Sequence, residues 1–288
     1  MDWFTLALIS AVLSAAASIL EKKSLFTYDA LEFSFILSAF NLLFSLPFFF
    51  YVDYSALTAS ALLVLFVKSV MGVLAFWCVM LALKNLEISG ALPLMVLTPG
   101  LVAFLAFLFL GESLSPWKVG GMALMVWGST FLNPGVSLGA SLRALAANRP
   151  CRTMMVASLF IAAGRVVDAR VVGLLAEHPP TVPYALVQAA FSGLYALAFL
   201  AVRRRTSLPW RLLRSRPRAC LVAGACNIYA YLLLLLALRG LEVSLAEPLS
   251  MLGILLSVVL AHFVFHEPLK GRLLGSCLML LGAWGLFL

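Results

Sequence analysis

Residues 82–114 read ALKNLEISGALPLMVLTPGLVAFLAFLFLGESL, and residues 237–269 read ALRGLEVSLAEPLSMLGILLSVVLAHFVFHEPL. The two stretches align without a gap at an offset of 155. Shared leucines carry little information, because any two apolar runs share them. The polar matches carry more: Glu87 meets Glu242, Ser89 meets Ser244, Pro93 meets Pro248 and Glu112 meets Glu267. The chain therefore contains one of its own segments twice. A weaker match at an offset of 147 lays AAASILEKK (15–23) over AAGRVVDAR (162–170), which puts Glu21 on Asp168 and Lys23 on Arg170.

The medium for this repeat follows from composition. Of 288 residues, 64% are apolar and 11% charged, against about 45–50% and about 25% in soluble domains. That excludes a soluble globular domain, a disordered chain and a disulfide scaffold. Ten apolar stretches are long enough to cross a bilayer: about 3–20, 33–52, 61–83, 90–110, 116–132, 153–175, 183–202, 219–238, 243–265 and 270–287. Each must be a helix, because lipid leaves free backbone groups unsatisfied. The longest connection divides the chain into a first five-helix repeat (1–135), a cytoplasmic linker (136–152) and a second five-helix repeat (153–288). The expected fold is an all-α polytopic membrane protein of ten transmembrane helices. With five spans each, the repeats must insert in opposite senses, the inverted architecture of secondary transporters, whose sites lie at the repeat interface near the midplane.

The quoted residues carry a resemblance. The small-residue–Pro openings (Gly90-Ala91-Leu92-Pro93; Ala246-Glu247-Pro248) and the acidic exits (Leu110-Gly111-Glu112; Phe265-His266-Glu267), each followed by a short turn into a Gly-rich helix, resemble the ten-helix EamA-type branch of the drug/metabolite transporter superfamily. The likeness spans both halves. It implies a transporter of small metabolites with a central cavity lined largely by helices 1, 3, 4, 6, 8 and 9, and it leaves the substrate open.

Charge sets the expected orientation. Loops after helices 1, 3, 5, 7 and 9 hold fifteen Lys and Arg; the opposite loops hold two, Lys118 and Arg239. Basic loops stay cytoplasmic, so both termini are expected outside, in a plasma or bacterial inner membrane. Relatives usually have both termini in the cytoplasm. The net charge of +8 sits in these loops, so the positive-inside effect explains it and nucleic acid is not an expected partner. No basic n-region of a signal peptide is evident. Five cysteines without a CxxC pair argue against a disulfide or zinc framework.

Polar groups within the spans are the candidates for function, since polar groups facing lipid are unfavourable and usually turn to the bundle interior. Ser10, Ser14, Ser18 and Glu21 share one face of helix 1. Ser34, Ser38, Asn41 and Ser45 on helix 2, Tyr184, Gln188, Ser192 and Tyr195 on helix 7, and Asn227 and Tyr231 on helix 8 form similar stripes, which interhelical packing also explains. Lys68, Arg165 and Arg170 fall within spans. Arg165 and Asp168 are spaced i, i+3 and can pair. The pair either neutralises itself or lines the cavity. Glu247 sits one turn inside helix 9, where the first half has Leu92. Trp77 and Tyr231 lie on helices that the resemblance places at the cavity, where an aromatic wall suits an organic cation. The expected substrate site is Glu21, Trp77, Arg165, Asp168, Tyr231 and Glu247, with Glu21, Asp168 and Glu247 as proton-carrier candidates.

The expected function is a secondary active transporter or facilitator moving a small organic metabolite, such as an amino acid or amine, by alternating access. A proton is the candidate coupling ion, and the protein is a monomer or homodimer. No G-x-x-x-x-G-K-[ST] run occurs, so gradients rather than ATP would drive it. One rival is a lipid or lipid-carrier flippase of the same fold. Another is a membrane-embedded enzyme, which would need His262 and His266 to bind metal. There the Glu follows the second His, unlike the hydrolytic His-Glu-x-x-His order. No enzyme activity, cofactor or metal is expected.

Overall fold

The computed structural model describes residues 2–26, 28–55, 57–86, 95, 97–129, 131, 147–173, 180–202, 214, 217–267, 269 and 272–285. These form ten helices: α1 Trp3–Leu25, α2 Ala30–Phe49, α3 Ala59–Asn85, α4 Thr98–Leu110, α5 Pro116–Ser129, α6 Arg149–Val172, α7 Thr181–Val202, α8 Pro217–Ala237, α9 Val243–Phe265 and α10 Arg272–Trp284. No strand occurs among the described residues. Each helix overlaps one apolar stretch of the sequence. Helix α4 begins at Thr98 rather than 90, and α6 begins at Arg149 rather than 153, because Pro150 fits a first turn where its missing N–H loses nothing. The Gly90–Pro93 opening lies outside the described residues.

Among the described residues, six helices are long and apolar enough to cross a membrane: Trp3–Leu25, Glu32–Phe49, Ala59–Asn85, Thr181–Val202, Arg218–Ala237 and Val243–Phe265. Helix α6 has the length, at 24 residues, but carries Arg149, Arg152, Arg165, Asp168 and Arg170. Helices α4 and α10 have 13 described residues each, about 20 Å at 1.5 Å per residue.

The repeat leaves a backbone signature. Helices α4 and α9 both end on a left-handed residue, Gly111 with φ 73° and His266 with φ 56°, and these two positions are partners in the sequence alignment. The packing has the same symmetry. Helix α1 lies against α8 and α9, and α6 lies against α3 and α4. Helix α2 packs on α7, α4 on α9 and α5 on α10. Exchanging each helix for its counterpart five places along leaves these pairings unchanged.

Close approaches are made by glycine. A Cβ on Gly121 of α5 would lie 2.4 Å from Gly282 O of α10, and one on Gly253 of α9 would lie 2.3 Å from Ala11 O of α1. Small residues let helix backbones meet where lipid provides no hydrophobic drive. The buried apolar residues form two clusters, and α3 enters both, with Leu65 in one and Val79, Met80 and Leu83 in the other. Lys68, Gly72 and Val73 fall between those two stretches of α3 and line a cavity.

Candidate functional site

The cavity, of about 340 Å³, is walled by α1, α2, α3, α6, α7, α8 and α9, so both halves of the chain build it. Five of the six expected site residues line it: Glu21, Arg165, Asp168, Tyr231 and Glu247. Trp77 does not; it is half-buried on α3, and the aromatic lining from that helix is Phe76 instead.

At its centre four charged side chains meet. Lys68 of α3 pairs with Asp168 of α6 through its Nζ and Asp168 Oδ1. Arg165 Nε approaches Glu247 Oε2 at 3.1 Å, close in charge though not aligned as a hydrogen bond. Arg165 Nη1 is 3.7 Å from Asp168 Oδ2. The expected i, i+3 pair therefore exists, but each member has a nearer partner on another helix. Two cations and two carboxylates balance, which is how ionised groups persist away from water.

Lys68 has three ammonium protons and three acceptors around them. Besides Asp168 it donates to Gln188 Oε1 of α7 at 2.6 Å and to the Tyr231 hydroxyl of α8 at 2.7 Å. Tyr184 donates to Asp168 Oδ1 at 2.8 Å, and Tyr231 bonds to Gln188 Oε1. The ammonium also lies 5.3 Å from the Tyr184 ring centroid and 5.1 Å from that of Tyr231, within cation–π range. One lysine thus ties four helices together.

The groups are unequally available. The side chains of Lys68, Asp168 and Glu247 are 6%, 1% and 1% exposed, while that of Arg165 is 19% exposed. Arg165 is the most exposed of the four charges. Glu247 Oε1 and Asn41 Oδ1 are buried acceptors without a donor among the described residues. A guanidinium, unsatisfied acceptors and the Tyr231 ring, 5.5 Å from the Arg165 guanidinium carbon, can grip a small polar molecule.

Glu21 lies elsewhere on the wall. Its Oε1 accepts a hydrogen bond from Asn227 Nδ2 of α8 at 2.7 Å. Lys22 next to it points away and donates to the Leu83 and Leu86 carbonyls at the end of α3. His262 and His266, weighed for metal, end α9: His262 Nδ1 lies 2.8 Å from Glu267 O, and His266 takes the left-handed cap.

Lys68, Gln188, Asn227 and Tyr184 were not among the expected site residues. Lys68 had a signal, a lone ammonium inside an apolar run. The others sat in polar stripes that packing explained equally well.

The family model of the EamA-like transporter family matches residues 1–133 and 151–288. The chain belongs to this family. It is accordingly a multi-pass membrane transporter of the drug/metabolite superfamily, which accounts for a polar cavity enclosed by apolar helices. No curated protein matches it. A solved structure described only as "Crystal structure of protein" is similar with a TM-score of 0.64 at 18% identity, over 98% of this chain and 96% of that one. That likeness concerns the fold alone.

Proposed function

We propose that this EamA-like transporter is a secondary active transporter or facilitator of a small organic metabolite, such as an amino acid or amine. It works by alternating access between two inverted five-helix repeats, 1–135 and 153–288, in a plasma or bacterial inner membrane. The observation that carries the reading is the charge-balanced group of Lys68, Arg165, Asp168 and Glu247. It sits in a cavity built by both halves. Lys68 belongs to the first half and its partners Asp168, Gln188 and Tyr231 to the second, so rocking one half against the other must break or remake these bonds. A solute with polar ends exchanges partners with Arg165 and Glu247 and repays that change. The exchange-symmetric helix packing supports the inverted repeat.

The test is counterflow in proteoliposomes over a panel of amino acids, amines, nucleosides and sugars, after a thermal-shift screen of the purified protein. A ligand that raises the melting temperature of wild type but not of Arg165→Gln, and that exchanges across the membrane, is the expected outcome. Binding of lipid headgroups without exchange of any panel solute would replace this reading with a flippase.

A further inference from the structure

We propose that Glu21 and Asn227 form a site for one mobile monovalent cation, the ion whose gradient drives transport; the inference rests on the transporter reading above. The argument begins with the symmetry of the chain. The alignment at offset 147 places Glu21 on Asp168. Asp168 of α6 reaches across to α3, the helix α6 packs on, and finds the Lys68 ammonium. Glu21 of α1 reaches across to α8, the helix α1 packs on, and finds the amide of Asn227 at 2.7 Å. The acid of the second half thus meets a covalently attached cation, supplied by α3 of the first half. The acid of the first half meets only a neutral amide, supplied by α8 of the second half.

No cation lies within 4 Å of the Glu21 carboxylate among the described residues, although Glu21 is 4% exposed. Helix α1 packs on α8, α9, α3 and α2. Helix α3 brings Lys68 to the cavity, and Lys68 is engaged by Asp168, Gln188 and Tyr231. Helix α9 brings Glu247, which faces Arg165. Helix α2 brings the uncharged Ser38 and Asn41. Helix α8 brings Asn227 and places Cys226, a thiol, near the carboxylate. Lys22 is held at the α3 carbonyls. Among the described residues that line the cavity, three carboxyls stand against two cations, one positive charge short, and the deficit falls at Glu21. A buried carboxylate without a counter-charge is strongly disfavoured, so the site draws a small cation from the cavity.

The surroundings suit such an ion. Asn227 donates through Nδ2, which leaves Oδ1 as a second oxygen. Ser10, Ser14 and Ser18 line the same cavity. From Ser10 to Glu21 their hydroxyls mark a polar track of about 16 Å at 1.5 Å per residue. The proton and sodium share this chemistry. A proton needs the carboxylate alone, whereas sodium also takes Asn227 Oδ1.

The experiment uses the full chain in proteoliposomes and needs no substrate. Infrared difference spectra between acidic and alkaline buffer read the carbonyl stretch of a protonated carboxyl. Melting temperature in sodium chloride against choline chloride at equal ionic strength reads sodium binding. For a proton, wild type shows the infrared band and Glu21→Gln loses it. For sodium, wild type shows the thermal shift and Glu21→Gln loses that. Asn227→Ala, which keeps the carboxylate, should move the midpoint of whichever response is present, and it serves if Glu21→Gln does not fold. Identical responses in wild type and both variants, or neither response in wild type, would overturn the proposal. A Glu21-dependent response in a protein that exchanges no panel solute would uphold the cation site and remove the transport reading.

Discussion

Lys68 is the residue on which the centre of the molecule turns. Its side chain is 6% exposed, and its partner Asp168 is 1% exposed. Removing one member of a buried ion pair leaves the other uncompensated, at about 3–5 kcal/mol. Asp168→Asn is therefore expected to destabilise the protein by about that amount, measured by chemical denaturation in detergent. The double variant Asp168→Asn with Lys68→Met should recover most of it. Arg165→Gln in the same background should recover less, because Arg165 retains Glu247. Recovery by Arg165→Gln rather than Lys68→Met would assign the counter-charge to Arg165, as the i, i+3 spacing alone suggests.

At the scale of elements, the turns and crossings carry separate predictions. Glu112, in the turn between α4 and α5, lies beside Val243 and Ser244 at the start of α9, whose polar groups favour its charged form. Burial raises its carboxyl pKa above the ordinary value, against the smaller opposing effects of Ser244 and of Lys118. A raised folded-state pKa means that the folded protein holds this proton more tightly than the unfolded chain. The resulting stabilisation is complete below the ordinary glutamate value of about 4.3 and disappears as pH rises through the folded value. Melting temperature should fall over that window in wild type and stay flatter in Glu112→Gln; parallel profiles would contradict it. The α5–α10 crossing differs, being steric. Gly121→Leu has no space beside Gly282 O, and overpacking of this kind loses about 1–3 kcal/mol. Neither helix lines the cavity, so uptake per folded molecule should be unchanged while the melting temperature drops. Loss of uptake in folded Gly121→Leu would tie this crossing to the transport cycle.

The whole molecule is expected to insert with both termini outside. Fifteen basic residues on one set of loops against two on the other give a strong positive-inside bias, although much of the basic chain at 203–213 lies outside the described residues. A reporter fused after Leu288 decides the matter. Activity of an externally active reporter is expected, and activity of one that works only in the cytoplasm would reverse the orientation. Reversal would leave the cavity intact and exchange the membrane sides that the two ends of the helix bundle face.

The sequence by itself determined the medium, the number of helices and the repeat. Those properties are local or one-dimensional: apolar run length answers to bilayer thickness, and an alignment needs no geometry. It also singled out Glu21, Arg165, Asp168, Tyr231 and Glu247, because an ionisable or polar group inside an apolar run is conspicuous wherever it packs. The tertiary structure decided the partnerships. Spacing along one helix favours the Arg165–Asp168 pair, yet the nearer partners, Lys68 and Glu247, come from α3 and α9 across distances in sequence that no periodicity encodes. It also decided that Trp77 stays off the cavity lining while Gln188 and Asn227 join it. The stripes that hold Gln188 and Asn227 suit interhelical packing as well as a cavity, and around Trp77 helix α3 is apolar on every side, so the neighbours it meets decide which side faces inward.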